Sequence, residues 1–196
     1  MKPLRVAFKV LCCLPILASC SGSDSVADRT GVPRRPAYPR LQLPDSVYVS
    51  PSELPLGMEI NSGATFNIER HDDTGDWVTV SYGVAGAEIY YTFTPVTEAT
   101  VAGVIDNRLE RVSLNLGGNS AELTEFVTPE GLAVRIIDGG SATTPVQFLA
   151  TDNSSLVVSG SAFVPALDSA TRDSLAPVVG MLRRDIIKSL LSLHND

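Results

Sequence analysis

From Ala64 onward the chain alternates apolar and polar residues in short runs divided by turn residues, and this period of two constrains its fold more than any other feature. Thr65 to Arg70 and Trp77 to Tyr82 alternate about the turn His71-Asp72-Asp73-Thr74-Gly75-Asp76, which predicts a hairpin. Glu88 to Thr94 is a third strand, stopped by Pro95. Four more follow as a meander: Glu122 to Thr128, Gly131 to Ile137, Pro145 to Thr151 and Leu156 to Val164. Asp152-Asn153-Ser154-Ser155 supplies the last turn, through side chains that bond their own backbone. Short links between successive strands require antiparallel pairing.

Two segments break this period. Val101, Val104, Ile105, Leu109, Val112 and Leu116 recur at helical steps, with Thr97 as predicted N-cap and Gly117-Gly118 at the end, so one face should cover a sheet. At the C-terminus Leu175, Val178, Val179, Leu182, Ile186, Leu190 and Leu193 form an apolar stripe. There Asp173 or Ser174 is the predicted cap, Pro177 falls in or near the first turn, and Arg183, Arg184 and Lys188 line the polar side. Asp173, Asp185 and Asp196 add acid to that polar face, which argues against a membrane-surface helix. The resulting class is α+β: a single antiparallel β-sheet with two helices packed on it. On Val158, Gly160, Ala162 and Val164, one face of the final strand, the small residues predict close packing of a helix or of the segment preceding the domain.

The first 40 residues belong to no such pattern. Lys2, Arg5 and Lys9 precede the apolar run Val10 to Ala18, the layout of a secretory signal, and the run is about half the roughly 20 residues a spanning helix needs. Leu17-Ala18-Ser19-Cys20 has the order of a bacterial lipobox, so residues 1–19 read as a lipoprotein signal peptide and Cys20 as the lipidation site. A thioether-linked diacylglyceryl group plus an acylated new N-terminus gives the two or more chains, palmitate among them, that stable anchoring takes. Residues 20–40 are poor in large apolar side chains and read as a flexible tether, about 65 Å long when extended and nearer 25 Å as a coil. Residues 41–196 form the single α+β domain, beginning with a proline-rich lead-in that holds Pro44, Pro51 and Pro55 and an edge strand near Val47 to Val49.

Composition narrows the chemistry. Cys12, Cys13 and Cys20 are the only cysteines, which excludes a disulfide scaffold or a cysteine-ligated metal in the domain. The chain carries a formal charge of -7, and loss of residues 1–19 leaves 12 basic and 22 acidic side chains, a charge of -10 that opposes nucleic-acid binding. His71 and His194, in a turn and near the end, are too few for a metal cage and stand outside any rigid pocket a serine nucleophile's base would need. Asp72, Asp73 and Asp76 lack the spacing of a calcium loop. No nucleophile elbow or phosphate-cradling motif occurs, so the reading is of a non-enzyme without cofactor or metal. Trp77, Tyr82, Tyr90 and Tyr91, on adjacent predicted strands, offer an alternative: a concave face binding a small molecule or glycan.

Several strings carry a resemblance. Pro145-Val-Gln-Phe-Leu-Ala-Thr-Asp-Asn-Ser-Ser, Val158-Ser-Gly-Ser-Ala-Phe-Val, Arg172-Asp-Ser-Leu-Ala-Pro-Val-Val and Arg184-Asp-Ile-Ile, with Trp77-Val-Thr-Val upstream, resemble the gliding-motility lipoprotein GldD family. The matched positions include Trp77, Phe148, Thr151, Asp152, Gly160, Phe163, Asp173, Ser174, Pro177 and Asp185. The chain resembles a divergent member, since Asp76 stands where the family pattern has a Cys before the Trp. The resemblance implies an exported envelope lipoprotein with no catalytic activity, and Ser21 rather than Asp after Cys20 favours the outer membrane. Its implied partners are the membrane, through the lipid on Cys20, and other envelope lipoproteins or gliding and type IX secretion components. The element order is also similar to the PsbP/Mog1 arrangement, a likeness of fold only.

Overall fold

The computed structural model describes residues 41–71, 75–139, 143–165 and 169–194, with α2 side chains from Leu175 onward. The signal peptide, Cys20, the tether, Asp72 and Asp73 lie outside these residues, as do the side chains of Asp173 and Ser174.

Among the described residues nine strands and two α-helices follow the order β1 (Tyr48–Val49), β2 (Ile60–Asn61), β3 (Thr65–His71), β4 (Gly75–Ser81), β5 (Glu88–Pro95), α1 (Val101–Leu116), β6 (Ala121–Val127), β7 (Ala133–Gly139), β8 (Val146–Thr151), β9 (Leu156–Phe163) and α2 (Ser169–Ser192). Seven strands form one sheet in the order β3-β4-β5-β9-β8-β7-β6, and every pairing is antiparallel. The long link through α1 carries the chain from β5 to the far edge, and the meander then returns so that β9 closes against β5. The fold class is the expected α+β, with one addition. The strand near Val47 to Val49 is not an edge of the main sheet but half of a separate two-stranded sheet, Tyr48 opposite Asn61 and Val49 opposite Ile60. The prolines around it leave too few ladder donors to join a long strand.

Cross-strand partners share a face, so the register sorts the side chains. One face carries Val78, Val80, Ile89, Tyr91, Phe93, Val134, Ile136, Phe148 and Val158, buried with Val178, Met181, Leu182, Ile186, Leu190 and Leu193 of α2. Burying those six α2 side chains is worth roughly 10 kcal/mol in gross transfer terms. The other face is covered by α1 only in part: Val101, with Val104 and Ile105 beside it, packs on Leu149 and Val157. The α1 stripe thus faces the sheet as its spacing predicts, though only Val101 is buried. Strand β8, covered on both faces, is buried at all six positions.

Local chemistry shifts two helix starts. The Thr97 carbonyl receives the N–H groups of Thr100 and Val101, at 2.9 Å each, so a turn precedes the helix and Thr100, not Thr97, is the N-cap. Helix α2 begins at Ser169, before the Asp173 or Ser174 cap that the sequence suggests, and Pro177 stands inside it. Pro177 is exposed, and its nitrogen offers no donor to the carbonyl four residues back. Gly160 is small for a reason other than the predicted helix or lead-in contact. A Cβ there would stand 1.9 Å from the Tyr90 carbonyl oxygen and 2.5 Å from Cζ of Phe148, its partner on β8. The ring of Phe148 fills the space above the glycine and tilts against Tyr91, their centroids 5.1 Å apart.

Candidate functional site

The most developed polar arrangement lies where the lead-in crosses α2. Asp185 is 1% exposed, not a member of the solvated face that its sequence context suggests. It stands four residues after Met181 and three after Leu182, at the border of the buried stripe. Both of its oxygens are satisfied: Tyr48 donates to Oδ1 at 2.6 Å and Tyr82 to Oδ2 at 3.0 Å. Arg184 Nε, half exposed, reaches Oδ1 at 3.3 Å. A carboxylate taken out of water is tolerable only with such partners. Burial first, and then the charge of Asp185, push the Tyr82 phenol well above its ordinary range. This tyrosine stays protonated and gives its hydroxyl proton to Asp185.

The lead-in, residues 41–64, is a strap that is bound to α2 further along as well. Ser189 Oγ donates to the Glu59 carbonyl at 2.7 Å, Ser192 Oγ accepts from the Glu59 N–H at 2.8 Å, and the His194 N–H reaches the Leu56 carbonyl at 2.9 Å. Lys188 pairs with the Glu59 carboxylate at 2.9 Å and lies 5.8 Å over the Tyr48 ring. Leu54, Met58 and Ile60 of the strap enter the main core. The arrangement holds a segment in place; no nucleophile faces a base in it.

At the end of the sheet where β3 and β5 finish, an open cleft of about 580 Å³ collects His71, His194, Arg70, Asp76 and Asp152 around Leu56, Phe93 and Leu193. His71 and His194, far apart in sequence, both line this open cleft. His71 also rests against Trp77, ring centroids 4.6 Å apart. Among the described residues no three or more His, Cys, Asp or Glu side chains gather as a metal-ligand group.

The family-matched residues do not converge. Phe148 and Gly160 are the packing pair described above. Thr151 and Asp152 build the β8–β9 turn: Thr151 Oγ1 donates to the Leu156 carbonyl at 2.8 Å, while Asp152 Oδ1 accepts the N–H groups of Ser154, Ser155 and Leu156 at 2.9, 2.8 and 3.0 Å. Partial burial alone would raise the Asp152 carboxyl, but the Ser155 hydroxyl and these N–H groups outweigh it and hold it well below the usual range. Asp185 is the strap anchor, and Pro177 is on the exposed side of α2. Trp77, 47% exposed, and Phe163 stand on the sheet face that α1 leaves open. Beside Phe163 is Tyr90, whose hydroxyl donates to Glu88; that bond, then burial, pushes its phenol up to about 12.

The four aromatics offered as a binding face are therefore split. Tyr82 and Tyr91 are buried on the α2 side, while Trp77 and Tyr90 occupy the opposite side. Strand alternation alone separates Tyr90 from Tyr91.

Among the described residues no helix is long and apolar enough to cross a membrane. No match was found among curated proteins or among solved structures, so the PsbP/Mog1 comparison rests on element order. A family model described as gliding motility lipoprotein GldD matches residues 28–194, a span that takes in the strap, the whole sheet and both helices. The chain belongs to the gliding motility lipoprotein GldD family.

Proposed function

We propose that this protein is a lipid-anchored, non-catalytic component of the cell envelope that supports the assembly or operation of gliding-motility and type IX secretion machinery by docking on other envelope proteins. The family match over residues 28–194 carries this reading. The lipobox ending at Cys20 supports the anchor, and the outer membrane is favoured because Ser21, not Asp, follows it. The polar constellation at Asp185 supports a structural role, since its carboxylate is taken up by Tyr48 of the strap, Tyr82 after β4 and the neighbouring Arg184.

The test is a clean deletion in the host bacterium, complemented with the wild-type gene or with Cys20→Ala. Deletion should impair secretion or surface motility, or lower the levels of other envelope machinery proteins, and Cys20→Ala should lose fatty-acid labelling and fail to complement. A deletion strain unchanged in all three respects would overturn the proposal.

A further inference from the structure

The seven-stranded sheet ends at β6, and among the described residues no strand lies beyond it. Which backbone groups that edge offers follows from the register. The Thr128 N–H donates to the Leu132 carbonyl at 2.9 Å, and the ladder continues with Val127 opposite Ala133 and Phe126 opposite Val134. Bonded and non-bonded pairs alternate in an antiparallel ladder, so Glu122, Thr124 and Phe126 bond to β7. Ala121, Leu123, Glu125 and Val127 turn their N–H and C=O groups outward.

Natural edges are usually guarded by Lys, Pro or a bulge. Strand β6 reads Ala-Glu-Leu-Thr-Glu-Phe-Val, with no Lys, Pro or bulge and with Glu122 and Glu125 as its only charges, and exposes Leu123 at 55% and Val127 at 67%. The opposite edge, β3, carries Glu69, Arg70 and His71, and Arg70 bonds the Glu53 carbonyl of the strap at 3.2 Å. The outward residues of β6 also place their side chains on the α1 face of the sheet. A groove of about 410 Å³ lies there, walled by Ile105, Val127, Ala133 and Leu149 with the Glu125–Arg135 pair beside them. Open donors and acceptors next to a groove with an apolar wall are what an added strand requires.

Charge selects the occupant. Residues 41–196 hold 8 basic and 20 acidic side chains, a net charge of -12. At the edge, Glu125 is neutralised by Arg135 at 2.8 Å, while among the described residues neither Glu122 nor Glu130 of the following turn has an ion-pair partner. A second copy would bring the same net negative charge, with its own Glu122 and Glu130, to the contact. A basic partner gains where a second copy loses.

We propose that the free edge of β6 is a strand-addition site for an extended segment of a partner protein that bears Lys or Arg, with its alternate apolar side chains lying against Leu123, Val127 and the groove beside α1. The proposal rests on the docking role above, and it names the surface and the chemistry of the partner.

The test places the photo-crosslinker p-benzoylphenylalanine at position 123 or 127 of the full-length protein in living cells, with position 66 on β3 as control. Positions 123 and 127 should trap the same non-self protein, position 66 should not, and the trapped peptide should be net positive. Leu123→Pro removes an outward N–H and leaves the β6–β7 bonds intact, so it should cut trapping at position 127 at least tenfold with an unchanged thermal melt. Leu123→Lys, which keeps the backbone and adds a guarding cation, should also cut trapping and decides the matter if the proline variant does not fold. Adducts containing only second copies, equal trapping at position 66, an acidic trapped peptide, or no adduct would each overturn it. A silent deletion strain would sink the docking role itself. A defective deletion strain fully rescued by a stable Leu123→Lys protein would remove only the assignment to β6.

Discussion

Asp185→Asn tests whether the buried carboxylate fastens the strap to the domain. The substitution keeps the shape, removes the charge and turns one acceptor oxygen into an NH2 group. At least one of the Tyr48 and Tyr82 hydroxyls, which now donate at 2.6 and 3.0 Å, must then face a donor. A hydrogen bond to a charged group contributes about 1.5–3 kcal/mol, and a buried hydroxyl left without an acceptor costs about 1–3 kcal/mol. Against this, a buried carboxylate carries its own desolvation cost, and its cation Arg184 is half exposed. The net expectation is a loss of about 2–4 kcal/mol, or roughly 5–15 °C in melting temperature for a domain of this size. Urea unfolding should show the midpoint falling with the slope unchanged. Tyr48 belongs to the strap and Asp185 to α2, so combination with Tyr48→Phe should be non-additive by about 0.5–3 kcal/mol. Hydrogen exchange should also show β1 and β2 losing protection before the main sheet. A variant whose midpoint stays within about 0.5 kcal/mol of wild type, with normal protection of β2, would refute the reasoning.

Two further outcomes follow from the packing and the titration of single residues. Gly160→Ala should cost about 3 kcal/mol or more by chemical denaturation, because a methyl group would meet the Tyr90 carbonyl oxygen at 1.9 Å and backbone cannot step aside; a near-neutral result would mean that β5 and β9 are not paired as described. Absorbance at 295 nm should show one tyrosine ionising near pH 12 whose midpoint falls in Glu88→Gln. The sign is that of a raised folded value: the Tyr90–Glu88 bond stabilises the fold fully below pH 10 and is lost as pH rises through about 12.

The strands and their antiparallel sense are legible in the sequence, because period-two runs such as Trp77 to Tyr82 admit little else. The insertion of β9 between β5 and β8 is not, since turn chemistry fixes only neighbours in the chain. Pro177 misleads about the start of α2: as a helix breaker it points to a boundary, yet on the exposed side its cost of about 3 kcal/mol is outweighed by the buried stripe. Asp185 reads as surface because a carboxylate beside Arg184 is ordinarily solvated; its acceptor role depends on Tyr48 and Tyr82, 137 and 103 residues away. The two histidines share a cleft for a similar reason, as the C-terminal end of α2 returns to the β3 end of the sheet only in three dimensions.

The strap also sets how the domain would bear mechanical load. A pull on the N-terminal side enters at Leu41 and first meets a ladder of two residue pairs between β1 and β2, backed by the Tyr48 and Glu59 contacts to α2. Such a short ladder, peeled from one end, yields bond by bond, whereas the seven-stranded sheet lies behind it. Release of residues 41–64 would pay out about 80 Å of chain before force reached β3, and the withdrawal of Leu54, Met58 and Ile60 from the core is the resistance such a pull would meet.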